Sequence, residues 1–157
     1  MRKIKLSNGQ VALVDNEDFY LLSHLGSWQI STKGYAHMKK WNGKKYQSLN
    51  MARVVMGLKI FDKNKVDHKN LNKLDNRRNN LRICDDTLNN LNVAKRRGNY
   101  TSKYKGVHKK INRWRVAITL NGKKRNIGSF VNEKDAARAY NKEARKLFGE
   151  FAYLNHV

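Results

Sequence analysis

The chain has 157 residues, with 34 Lys or Arg against 12 Asp or Glu and a formal net charge of +22. A surplus this large repels itself and favours a polyanion, with nucleic acid the first candidate and an anionic membrane surface the second. No apolar run approaches the ~20 residues that span a bilayer, and a hydrophobic content of 39% allows a real core and excludes global disorder.

Met1-Arg2-Lys3 is followed by an alternating segment rather than an apolar block, so no secretory signal is expected. Lys3–Leu6 and Val11–Val14 alternate around the turn Ser7-Asn8-Gly9-Gln10, which predicts a hairpin. Asp15-Asn16-Glu17-Asp18 reads as a helix start, with acids favoured by the helix dipole. Phe19, Leu22 and Leu25 form its apolar stripe, and Gly26 ends it. Trp28–Ser31, Tyr35–Met38 and Tyr46–Leu49 read as short strands joined at Thr32-Lys33-Gly34 and Asn42-Gly43-Lys44. His24 and His37 are isolated and read as structural or exposed. Lys39, Lys40, Lys44 and Lys45 around the second turn face either phosphates or water. Residues 1–48 thus form a β-rich module with 8 basic and 3 acidic groups.

With no proline in the chain, element ends rest on Gly, Asn and Asp. Asn50 caps a predicted helix to Met56, stopped by Gly57. Leu58–Phe61 connects to the turn Asp62-Lys63-Asn64. A strand ending in Asp67-His68 follows, then a polar loop, a second strand Asn80–Cys84, and a helix opening at Asp85-Asp86-Thr87. That helix would carry Leu88, Leu91 and Ala94 on one side, with Asn89 about one turn in.

A strand, loop, strand and helix of this kind can bring Asp67, His68 and Asn89 into one site. Asp67 and Asn89 offer hard oxygen ligands suited to Mg²⁺ or a similar divalent ion such as Mn²⁺. His68 can take a proton from water, and Asn80 can hold its ring in one tautomer. Together these groups supply what phosphodiester hydrolysis needs. Arg77 and Arg78 either grip phosphates beside the scissile bond or, with Arg82, pair with Asp75 or Asp86. The single Cys84 cannot form an internal disulfide, excludes a cysteine-based zinc site and reads as a small core residue.

At Val66-Asp67-His68, Leu74 to Arg82 and Asn89, the sequence resembles the HNH nuclease family, closest to its phage and intron-encoded homing branch. The resemblance implies a ββα-metal nuclease core over residues 49–94. It makes His68 the general base, Asn80 its orienting partner, and Asp67 with Asn89 the metal ligands. The third motif position is Asn here, as in some phage members. Leu49 to Gly57 looks like the helix preceding the site, but Ala52 stands where that branch usually has His before the Arg.

Lys95 to Ser102 loses apolar periodicity and reads as a basic linker, with Lys95, Arg96 and Arg97 tracking phosphates or simply flexible. Residues 95–157 hold 17 basic and 4 acidic groups, the densest charge in the chain. Tyr104–Lys109, Arg113–Leu120 and Lys123–Phe130 predict three strands, with Asn121-Gly122 a strong hairpin turn. By parity Trp114, Val116 and Ile118 face a core, while Arg113, Arg115, Ala117 and Thr119 face outward. Asn132 or a neighbour caps a helix with inner face Ala136, Ala137, Tyr140, Ala144 and Leu147.

This segment is similar to the AP2 DNA-binding domain at Ser102–Val107, Arg113–Ile118, Ile127–Phe130, Asp135–Tyr140 and Gly149–Asn155. The resemblance implies, over residues 103–157, a three-stranded antiparallel sheet in the DNA major groove backed by one helix. Lys105, His108, Arg113, Trp114, Arg115, Lys124 and Asn126 would be the contacts. Lys105 and His108 stand where plant members have Arg, and parity sets Trp114 against a DNA role.

The chain as a whole reads as α+β. It is expected to be a site-specific, metal-dependent endonuclease of homing type acting on double-stranded DNA in the cytoplasm of a host cell. It would work without membrane or protein partner, as a monomer or a dimer. The competing readings are an inactive DNA-binding protein or repressor, suggested by Ala52, and an RNA-binding protein, against which stands the lack of an aromatic RNA-binding sheet motif.

Overall fold

A computed structural model describes residues 1–96, 98–120 and 122–157, apart from the Thr87 side chain. Arg97, expected at DNA, and Asn121, expected in a hairpin turn, lie outside the described residues. The fold is α+β, built from small antiparallel sheets and few helices. The chain divides into two compact units, Met1–Asn89 and Asn90–Val157. No helix among the described residues is long and apolar enough to cross a membrane.

In the first unit, β1 (Arg2–Lys5) pairs with β2 (Val11–Val14). The alternation buries Ile4, Ala12 and Val14 and leaves Lys3, Lys5 and Val11 outside. The helix α1 (Asn16–Leu25) lays Leu22 on this hairpin. Trp28 fills the same core, and its indole N–H donates to the Leu22 carbonyl at 2.8 Å, fixing the end of the helix. The strands β3 (Gln29–Ile30), β4 (Ala36–Trp41) and β5 (Tyr46–Asn50) form a meander with Ala36 and Met38 facing inward.

Asn50 accepts from the Arg53 N–H and so caps α2 (Met51–Val55). Ala52 is 1% exposed and belongs to the shared core. The next residue points the other way: Arg53 donates to the carbonyls of Lys59, Asp62 and Asn64 and ties down the connection into β6 (Lys65–His68). One core runs from Ile4 to Leu81, so residues 1–48 and 49–89 are not separately packed.

β6 pairs with β7 (Leu81–Cys84), and α3 (Asp86–Asn89) packs on both. Asp85 caps this helix by accepting from the Leu88 N–H. The helix is shorter than the apolar spacing predicts: Leu91 and Ala94 lie beyond its end. The run Asn89-Asn90-Leu91-Asn92 explains this, since asparagine side chains compete for backbone groups and favour turns.

The second unit holds β8 (Val107–Lys110), β9 (Arg113–Leu120) and β10 (Lys123–Phe130), in the order β10-β9-β8, packed under α4 (Glu133–Phe148). The expected cap Asn132 accepts from Lys134 N–H, and Ala136, Ala137, Tyr140 and Ala144 are buried. Those alanines let the helix lie close to the sheet. Burial pushes the Tyr140 hydroxyl pKa up to about 12, so it stays protonated.

Gly106 sits at φ +76 and its carbonyl receives the Ala117 N–H. A Cβ there would lie 2.2 Å from the Tyr140 ring and 2.7 Å from the Ala117 carbonyl. Gly106→Ala should therefore destabilise the second unit by roughly 3 kcal/mol through overpacking and left-handed backbone strain. Denaturant unfolding followed by α4 helicity reads this directly. An unchanged midpoint would refute the packing described.

Candidate active site

The strand pair decides which groups meet. Asp67 lies opposite Arg82 in the β6–β7 register, and His68 lies opposite Leu81. Arg82 donates to Asp67 Oδ2 through Nε at 2.9 Å and Nη2 at 2.5 Å, with both residues buried. Arg82, expected to pair with Asp75 or Asp86 if it paired at all, is thus the cross-strand partner of Asp67. Asp86 instead takes Lys65, the residue at the start of β6.

His68 ends β6, where the chain turns into the loop 69–80. Its Nε2 is 3.3 Å from Asn76 Oδ1. An amide oxygen only accepts, so the ring proton sits on Nε2 and Nδ1 carries the lone pair. Asn76 Nδ2 is a buried donor without a partner among the described residues. The Tyr35 ring stands 5.8 Å from the imidazole, tilted by 44°. Burial lowers the His68 pKa below 6.5, against the opposing pull of Asn76, Asp67 and Asp75. Burial and the Asp67 charge raise the Tyr35 pKa. The result at neutral pH is an uncharged imidazole within the field of a buried carboxylate.

The loop that supplies Asn76 is held by Asp75, which is 1% exposed. Its carboxylate accepts from Arg77 Nε and Nη2, both at 2.7 Å, and from Asn70 Nδ2 at 2.9 Å. The Arg77 bonds hold its pKa below the ordinary carboxylate value. Two backbone bonds then lash the loop to β2: Leu13 N–H to Leu74 O and Asn76 N–H to Leu13 O, each 2.8 Å.

Asn80 does different work from that expected. Its Nδ2 donates to the Asp75 carbonyl at 2.7 Å and its Oδ1 accepts from Asn70 N–H at 3.0 Å, so it clamps the loop across its base. The ring partner is Asn76. Arg77 and Arg78, expected at the scissile phosphate, are already engaged. Arg77 pairs with Asp75, one of the two sequence alternatives. Arg78 pairs with Asp18 and Glu17 and donates its N–H to Asp15. Asp15, Glu17 and Asp18 cluster closely, and all three share Arg78, whose guanidinium pairs with Glu17 and Asp18 and whose N–H reaches Asp15, which lowers their mutual repulsion. Asn89 is the last residue of α3, on the element that packs against β6.

In the second unit the expected contacts separate. His108, Arg113, Arg115, Lys124 and Asn126 share the outer sheet face, through the pairings His108↔Arg115, Asn126↔Ala117 and Lys124↔Thr119. Trp114 packs against the core, as parity requires. Arg113 also donates to Ser129 Oγ and O. Burial, then Lys124 and Arg115, lower the His108 pKa, so that ring is neutral at pH 7.

Lys95 and Lys105, expected at DNA, are engaged by backbone carbonyls instead. Lys95 donates to the carbonyls of Ser102, Tyr104 and Val107, and Lys105 to those of Leu91 and Val93. Burial lowers both pKa values. These ammonium groups hold the start of the unit together rather than facing phosphates, so the supposed linker is packed at both its ends. Arg96 is exposed.

No family model matches the chain. It is 37% identical over 93 residues to a protein of Acanthamoeba polyphaga mimivirus named as an uncharacterized HNH endonuclease. The match covers 59% of this chain and 47% of that protein, so the chain spans about half the length of the curated relative it matches.

Tyr35, Asn76 and the Asp67–Arg82 pair are the site residues that sequence reasoning missed. Only the last had a signal, the shared register of the two strands.

Asp75→Asn removes the charge that Arg77 and Asn70 address and should cost on the order of 3 kcal/mol, read by urea unfolding. The His68 shift has a definite sign. The unfolded chain takes up a proton near pH 6.5, while the folded chain does so only at lower pH. Stability of the metal-free protein should therefore be complete above that pH and fall on acidification below it. His68→Gln should flatten this slope whatever it does to the overall stability.

Proposed function

We propose that the chain is a metal-dependent DNA endonuclease in which His68 is the general base. The observation that carries this reading is the buried imidazole, kept neutral by its burial and placed next to the Asp67 carboxylate on a ββα unit. The mimivirus relative, by its printed name an endonuclease, supports the same reading.

Asp67 and Asn89 would hold the divalent ion. The donor types, one carboxylate and one amide oxygen, suit Mg²⁺ or Mn²⁺ with water completing the shell, and Asp67, whose Oδ2 takes Arg82 Nε and Nη2, would be shared between that guanidinium and the ion. When bound, such an ion supplies positive charge against the leaving oxygen. The chain's own residues do the rest. Asn76 orients the ring, His68 accepts the proton of the attacking water, and burial keeps the imidazole uncharged near pH 7. The Asp67 charge then stabilises the imidazolium as it forms. Asn80 and Asp75 keep the loop in the shape that presents Asn76.

Holding falls to the second unit. The outer face of its sheet gathers Arg115, Lys124 and Asn126, all exposed, with His108 and Arg113 beside them. A two- or three-stranded sheet with this face enters a major groove, where Arg contacts guanine and Asn contacts adenine. Cutting at a site chosen by a separate reading unit is the homing arrangement. One active site makes one nick per encounter. Ala52 is 1% exposed within the core, so in this chain the position serves packing.

Supercoiled plasmid with Mg²⁺ should yield nicked circles, and His68→Ala should abolish nicking while gel-shift affinity stays within about twofold. Nicking by the variant would remove His68 from the mechanism. Arg115→Gln with Lys124→Gln should weaken binding and reduce the salt slope by about 2 in log K against log salt. An unchanged slope would move the DNA elsewhere.

A further inference from the structure

The β4–β5 hairpin carries a surface that neither the cutting site nor the second unit uses. Trp41 and Tyr46 form its last cross-strand pair before the turn, and they are 54% and 69% exposed. Their rings lie edge to face with centroids 5.2 Å apart. Ala36 and Met38 occupy the core side of β4, so Lys39 and Trp41 share the opposite face with Tyr46 and Ser48.

The tip is built to keep its shape. Asn42 Oδ1 accepts from Lys44 N–H at 3.0 Å and Lys45 N–H at 2.8 Å, and Asn42 N–H donates to Lys45 O. Gly43 takes φ +92 to complete the turn. Lys39, Lys40, Lys44 and Lys45 are all exposed, and residues 36–50 contain no Asp or Glu.

An aromatic pair that only stabilised a hairpin would not need four unpaired cations around it. The combination matches single-strand platforms, where cations track phosphates and rings accept bases. An exposed aromatic patch rimmed by one sign of charge marks an interaction surface, and that charge selects a polyanion.

We propose that this hairpin tip is a second DNA-holding surface, in which the lysines take the phosphates of one strand and Trp41 with Tyr46 stacks on a base that is not held in the duplex. The inference rests on DNA being the substrate of the His68 site, and it assigns that site a preference for locally opened or interrupted duplex.

The test uses the full chain in EDTA, so that cutting plays no part. Two labelled duplexes are compared, one intact and one with a three-nucleotide single-stranded gap containing 2-aminopurine. Binding of wild type should quench the 2-aminopurine. Trp41→Ala with Tyr46→Ala should remove the quenching and weaken gapped-duplex binding roughly tenfold, leaving intact duplex and the salt slope nearly unchanged. Trp41→Phe should retain most of the affinity. Lys39, Lys40, Lys44 and Lys45 changed together to Gln should instead lower the salt slope by about 3.

Equal loss of affinity for both duplexes, or a quench that survives in the double variant, overturns the proposal. So does binding to phosphatidylserine vesicles that these variants abolish while DNA affinity is untouched. Because the double variant could lose structure, its thermal midpoint is measured alongside; if it falls, wild-type quenching decides, and an unquenched gap base refutes the stacking. Plasmid nicking by wild type and His68→Ala is scored separately, so failure of the hairpin and failure of the nuclease reading give different results.

Discussion

A buried carboxylate must be fully satisfied, and the whole neighbourhood of His68 is arranged to satisfy Asp75. Three donated bonds reach its oxygens, its carbonyl receives Asn80, and its N–H donates to Asn72. The partners Asn70, Asn72, Arg77 and Asn80 are spread along the loop 69–80, so meeting the needs of one charge ties together an irregular stretch of chain. Loop backbone has no ladder to satisfy it, and here one side chain and two asparagines substitute for a ladder. The shape so fixed is what puts Asn76 against the imidazole.

The same economy governs the positive charge. A surplus of +22 invites the view that every Lys and Arg awaits a phosphate. Several do not. Arg53 spans three loop carbonyls, Lys95 spans three more, and Lys105 takes two. A cation on a cluster of carbonyls supplies the donors that a short irregular segment lacks. In a protein with few regular elements and no proline or disulfide to stiffen its turns, long basic side chains act as the staples. Among the exposed cations, some lie on the outer face of the β8–β9–β10 sheet and at the β4–β5 tip, and others, such as Lys134, Arg138, Lys142 and Arg145, line the solvent side of α4.

Buried and exposed charges in this chain differ in how far salt can screen them. The His68 site is buried and carries paired ions, so its field is local and resists screening. On the proposed reading the exposed basic faces would hold DNA through counterion release, which salt weakens. Binding and cutting should thus respond differently to ionic strength, because they depend on charges in different dielectric surroundings.

The sequence by itself determined the element order, because apolar alternation, Gly-bearing turns and the Asn caps at 50 and 132 are local signals. It determined that Asp67 and His68 end a strand, that Asn89 lies on the following helix, and that Trp114 belongs to a core. Tertiary structure alone decided the partners. Which carboxylate each arginine takes depends on strand register and on residues as distant as Asp18 and Arg78, which no local pattern encodes. The exchange of roles between Asn76 and Asn80 has the same origin. Both are asparagines in one polar loop, and only the way that loop is tied to β2 turns one toward the ring and the other toward the backbone.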